Sequence, residues 1–107
     1  MTELPDRLVV VGMRFVSKAP QALENMRLYT EVSLHSDYSE HGVDGWCWKV
    51  KYKNTLIGYV RNKDIPLLPT AESTKEIHAY ELVKISENYI VLARNCQAFP
   101  VIVPRLV

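Results

Sequence analysis

Trp46-Cys47-Trp48-Lys49-Val50-Lys51-Tyr52-Lys53 is the stretch on which the fold turns. Trp46, Trp48, Val50 and Tyr52 alternate with Cys47, Lys49, Lys51 and Lys53. Successive side chains of an extended strand point to opposite faces, so this period of two predicts a β-strand with one apolar and one largely basic face. A helix would spread the same residues around its whole circumference. A turn near Lys53-Asn54 leads into Leu56-Ile57-Gly58-Tyr59-Val60, and the two runs form a hairpin.

The flanking segments keep to the same pattern. Upstream, Tyr29 to His35 alternates, with Thr30, Val32 and Leu34 on one face and Glu31 and Ser33 on the other, while Ser36 to Gly45 is polar and turn-like. Leu8 to Phe15 is rich in β-branched residues and interrupted by Gly12, which predicts a strand with a bend or bulge. Lys18 to Arg27, with Pro20, reads as a loop or one helical turn. Downstream, Arg61 to Leu68 has room for a short helix checked by Pro66 and Pro69, and Pro69 to Lys75 is a loop. Ile77 to Ile85 and Tyr89 to Arg94 pair around Ser86-Glu87-Asn88. Val101-Ile102-Val103 lies between prolines, which bar a central ladder position and put this strand at an edge or seam. About six short strands with little helix predict an all-β fold, a small six-stranded OB- or SH3-like barrel with one or two short helices. The absence of a βαβ pattern excludes a doubly wound nucleotide fold.

A chain of 107 residues fits one domain, with residues 1–7 as a flexible lead-in. Thirteen basic residues face twelve acidic ones. Net charge alone therefore does not predict DNA binding, and any contact with nucleic acid is expected to rest on a local, salt-sensitive patch. Cys47 and Cys96 have no metal-ligand spacing and read as reduced core residues. No basic segment followed by an apolar run opens the chain, and no stretch approaches a membrane span. The expected setting is cytoplasmic, or nuclear in a eukaryote, with no membrane partner, no metal and no cofactor. His35, His41 and His78 are scattered, and there is no HExxH, P-loop, GxSxG or dinucleotide glycine pattern, so the expectation is a binding protein and not an enzyme.

Four stretches, in order and spacing, resemble the HIRAN domain, the DNA-binding module of helicase-like transcription factor and related repair translocases. Val10-Val11-Gly12-Met13-Arg14-Phe15 is similar to the family's opening strand, which ends in Gly, an apolar residue, Arg and an aromatic. Val32-Ser33-Leu34 precedes a polar loop ending at Asp44, where members carry an Asn-Pro-Tyr-Asp-type loop, and Cys47-Trp48-Lys49-Val50 stands in the place of the following strand. Ile57-Gly58-Tyr59-Val60 resembles the family's Gly-aromatic or Gly-His strand, and Gln97-Ala98-Phe99 a late aromatic beside the binding pocket. The sequence departs from the pattern at Val43, where the family has the loop tyrosine, at His41-Gly42 for Asn-Pro, and at Tyr59 for the histidine. Tyr38, Trp46 and Tyr59 are the rings left to substitute.

The resemblance implies capture of the free 3′ end of single-stranded DNA. An aromatic ring stacked on a terminal base contributes roughly 1–3 kcal/mol. A carboxylate accepts a charge-assisted hydrogen bond from a 3′-hydroxyl and repels a 3′-phosphate. On this reading Arg14 holds phosphate, Phe15 stacks on the base, Asp44 accepts from the hydroxyl, Phe99 forms a second wall and Tyr59 closes the pocket. Lys49 and Lys51, with Lys53, follow the backbone. The plainer readings are that the phenylalanines are core, Asp44 stabilises a turn and the lysines are the wet face of a half-buried strand. A second reading of the whole chain is a protein–protein interaction module, or a phage- or defence-related inhibitor, that uses the barrel without DNA. The near-neutral charge and the missing loop tyrosine favour it. A monomer is expected, or a weak dimer paired through the edge near Val101.

Overall fold

The structure is a computed structural model that describes residues 4–13, 16, 19–43, 45–69, 75–95 and 102–104. The strands are β1 (Arg7–Val11), β2 (Glu31–Val43), β3 (Trp46–Tyr52), β4 (Thr55–Val60), β5 (Lys75–Ile85), β6 (Ile90–Arg94) and β7 (Ile102–Pro104), with helix α1 (Ala19–Asn25) between β1 and β2. The sheet runs β2-β3-β4-β1-β6-β5, and pairing of β2 with β5 closes it into a six-stranded antiparallel barrel. The expected barrel is the one observed. β7 continues past β6 along the same edge of β5, pairing Ile77 with Ile102, and Pro104 ends it as the flanking prolines require.

The period-two reading of β3 accounts for the core. Trp48 and Val50 are fully buried, and Trp46 and Tyr52 pack against the same cluster at the two ends of the strand. Leu8, Val10, Leu34, Ile57, Leu82, Ile90 and Leu92 fill the rest of the interior. Cys47, from the opposite parity, is buried as well, and it is a free thiol whose pKa burial pushes up. Cys96 lies outside the described residues. Lys53 and Asn54 both have positive φ, 47° and 67°, the signature of the two-residue hairpin turn expected there.

Two segments depart from expectation. Ser36 to Val43 continues β2 and is not a turn: Ser36, Asp37 and Tyr38 pair with Trp48, Cys47 and Trp46. Polarity misleads here because pairing with β3 satisfies the backbone of Ser36 to Tyr38 and Asp37 finds a polar partner in Lys49. The segment Lys18 to Arg27 holds seven helical residues, since Pro20 falls in the first turn, where its missing N–H costs nothing.

The lead-in is tied down from Leu4 onward. Leu4 is buried in the core; the Tyr80 hydroxyl donates to the Pro5 carbonyl (2.6 Å), Arg94 Nη1 donates to the Leu4 carbonyl (3.0 Å), and Arg94 Nη2 lies 3.1 Å from Asp6 Oδ1. Among the described residues no helix is long and apolar enough to cross a membrane.

Candidate functional site

Of the residues singled out from sequence, Arg14, Phe15, Asp44 and Phe99 lie outside the described residues. Tyr59, Lys49 and Lys51 are on the barrel wall. Tyr59 of β4 pairs with Val11 of β1 on one side and with Lys49 of β3 on the other. Gly12 follows Val11 with φ of 78°, and the strand expected over Leu8 to Phe15 ends before it, at Val11. A side chain there would start 3.3 Å from the Tyr59 ring. Gly12 thus lies near the Lys53-Asn54 end of β3, and the Gly45 turn at the other end.

Lys49 is engaged. Its Nζ lies 2.6 Å from Asp37 Oδ2, and that hydrogen bond is the main reason its pKa is raised. Asp37 Oδ1 in turn accepts from the Tyr38 amide (2.8 Å). Lys51, two residues along the same face, pairs with Ser33 and lines a separate cleft.

Tyr38 has a placement the alternation does not disclose. It is 74% exposed although it shares the parity of buried residues, because β2 outruns the barrel there. Its ring stands edge-on to Trp46 (centroids 6.0 Å apart, 81° between planes) and covers Gly45, whose missing Cβ would meet it at 3.0 Å. Gly45 has φ of 83° and directly follows Asp44. An exposed aromatic is therefore braced beside the loop that carries the candidate carboxylate.

The cleft is the second feature. It measures about 340 Å³ and is lined by Ser33, His35, Lys51, Asn54, Glu76 and His78, among others. Ser33 Oγ lies 2.7 Å from His35 Nε2, His35 Nδ1 lies 3.0 Å from Glu76 Oε1, and Glu76 Oε2 lies 3.3 Å from His78 Nε2. His35 is nearly wholly buried. The β2–β5 register shifts between Val32↔Tyr80 and Leu34↔Ile77, so two residues of β5 face Ser33 alone. Sequence reading missed this cluster because Ser33 and His35 are far along the chain from Glu76 and His78; the one available signal is that each pair sits at i, i+2 on its own strand. Among the described residues no group of His, Cys, Asp or Glu is arranged to hold a metal ion.

No family of proteins, no characterised protein and no solved structure matches this chain.

Proposed function

We propose that the chain binds the 3′-hydroxyl end of single-stranded DNA and serves as a targeting module in DNA repair, replication or defence. The observation that carries this reading is the exposed Tyr38 ring, braced by Trp46 and set over Gly45 next to Asp44. It offers a stacking platform where the HIRAN loop tyrosine is replaced by Val43, and Asp44, which precedes Gly45 in the chain, carries a carboxylate able to accept from a terminal hydroxyl. From there the DNA backbone runs along β3 over Lys49 and Lys51 toward Tyr59 and the Gly12 corner, beyond which Arg14 and Phe15 follow in the chain. Phosphates draw Lys49 away from Asp37, and at the near-neutral net charge this contact is local and weakens with salt.

The test is fluorescence polarisation at low salt with one labelled oligonucleotide bearing either a 3′-hydroxyl or a 3′-phosphate. Binding that needs the hydroxyl, falls in Asp44→Ala and falls about 5- to 150-fold in Tyr38→Ala supports end capture. A folded wild-type protein that binds neither strand overturns it.

A further inference from the structure

The cleft between β2, β3 and β5 ends on a hydroxyl whose hydrogen bonds run in one direction. An ionised carboxylate only accepts, so Glu76 Oε1, 3.0 Å from His35 Nδ1, fixes the ring proton on Nδ1. In the neutral ring Nε2 then presents a lone pair, and Ser33 Oγ, 2.7 Å away, is placed to donate to it. A weaker alternative acceptor for Ser33, the Lys51 carbonyl, lies at 3.4 Å. Burial keeps the imidazole away from water, while Ser33 is only half-buried and stands at the cleft wall. The β5 bulge opposite Ser33 is the kind of irregularity that re-aims side chains beside reactive sites. Lys51 and Asn54 line the same cleft and bring N–H donors to it.

Nucleophile, base and orienting carboxylate in hydrogen-bonded series define the triad by geometry, whatever the fold or chain order. From this we infer that Ser33 is an acyl-accepting nucleophile, activated by His35 and positioned by Glu76, acting on small carboxylic esters. Ser33 Oγ attacks the ester carbonyl carbon as its proton passes to His35 Nε2. The resulting oxyanion faces the donors of Lys51 and Asn54. Collapse breaks the carbon–alkoxide bond, and the leaving alcohol takes the proton from Nε2, leaving Ser33 acylated. Water then attacks the acyl carbon, giving its proton to Nε2; Ser33 Oγ leaves and recovers that proton, releasing the acid. Atoms balance with the ester and water alone. A cleft of about 340 Å³ has the volume of small-molecule sites, and its lining of polar side chains together with Val32 and Tyr80 suits a short-chain ester. This activity does not rest on the DNA-end reading; the two share Lys51, which lines the cleft and lies on the DNA path, but the Ser33–His35–Glu76 series plays no part in end capture.

The full chain is to be treated with a fluorophosphonate probe and with p-nitrophenyl acetate, and the modified residue located by mass spectrometry. Covalent phosphonylation at Ser33, with ester turnover lost in Ser33→Ala, is the expected result. Glu76→Gln should lower kcat/KM about 100-fold and change the pH–rate profile, because the amide can donate to Nδ1 and release the tautomer. Ser33→Cys keeps a nucleophile if Ser33→Ala should misfold, and its thiol should alkylate with iodoacetamide in a His35-dependent manner. A folded wild-type protein that takes up no probe, or takes it up elsewhere than Ser33, overturns the inference.

Discussion

Two of the barrel's register slips, one in β4 against β3 and one in β5 against β2, serve opposite ends. In β4 the register against β3 slips between Val50↔Gly58 and Lys51↔Leu56, and successive residues Ile57 and Gly58 both turn inward. In β5 the register against β2 slips between Tyr80 and Ile77, and successive residues Ala79 and Tyr80 both turn inward. At the first, glycine removes the side chain and β1 presses against the bulge, making a dry seam. At the second, the apolar residues stay inside and the outer wall carries Ser33, His35, Glu76 and His78, making a wet cleft. A bulge changes which way side chains point; the residues beside it decide whether that closes the wall or opens it.

The most damaging way to break the contrast is to give the closed bulge a side chain. A Cβ on Gly58 would sit 2.7 Å from Val10 Cγ1 and 2.9 Å from the Val11 carbonyl oxygen. The second contact is backbone, so β1 itself must shift. Gly58→Ala is expected to cost about 3 kcal/mol, the upper end of overpacking, and to lower Tm by about 10–20 °C in a thermal melt. A loss under about 1 kcal/mol would mean that β1 yields easily and the seam is not close-packed.

Next comes the edge of that seam. Val9 N–H donates to Asp64 Oδ2 (3.0 Å), an oxygen that also accepts from Arg61 Nε (2.9 Å). Asp64 is buried, so Asp64→Ala strands a backbone donor and should cost about 2 kcal/mol by chemical denaturation. Asp64→Asn keeps an oxygen acceptor and should cost distinctly less. Equal losses in the two variants would assign the stabilisation to the negative charge and not to the Val9 hydrogen bond.

How much of this was legible in sequence follows from the range of each interaction. The β3 strand and its Lys53-Asn54 turn are written in neighbouring residues, and both stand as read. β2 beyond His35 was not legible, because Ser36 to Tyr38 are in a strand by virtue of their partners in β3 and not their own polarity. The bulges leave only a one-residue fault in the alternation, at Ile57-Gly58 and Ala79-Tyr80. The Ser33–His35–Glu76 series needs the β2–β5 pairing, which no local pattern announces. Tyr59 and Lys49 were singled out separately, and neither their pairing across β3 and β4 nor the ion pair of Lys49 with Asp37 was read, the latter because Asp37 sat in a segment read as turn.

The open bulge has its own anchor on the inner side. Tyr80 donates to the Pro5 carbonyl from a buried position, and burial pushes its phenol far above the ordinary value of 10.0. Tyr80→Phe should cost about 1 kcal/mol at neutral pH. The folded state holds this proton more tightly than the unfolded chain. The contribution is therefore complete below pH 10 and declines as pH rises beyond it, where the unfolded phenol ionises first. The gap between wild type and Tyr80→Phe should narrow above pH 10 in denaturation curves. A gap that stays constant would show that the phenol is not desolvated.

The smallest effect belongs to the turn that overhangs the cleft. Lys53 and Asn54 hold φ of 47° and 67°, a left-handed conformation that costs L-residues other than glycine roughly 1 kcal/mol and asparagine less. Asn54→Gly should therefore raise stability by about 0.5 kcal/mol. Lys53→Gly relieves more strain, yet it removes the Lys53 ammonium from its place 5.3 Å from the Tyr52 ring centroid, a contact of roughly 0.5 kcal/mol at an exposed site. The lost contact takes away about half of the relieved strain, so Lys53→Gly should gain about as much as Asn54→Gly, roughly 0.5 kcal/mol, in spite of the greater backbone strain at Lys53. If Lys53→Gly instead proves the more stabilising in urea titrations, the cation over Tyr52 contributes nothing, and the turn is governed by backbone conformation alone.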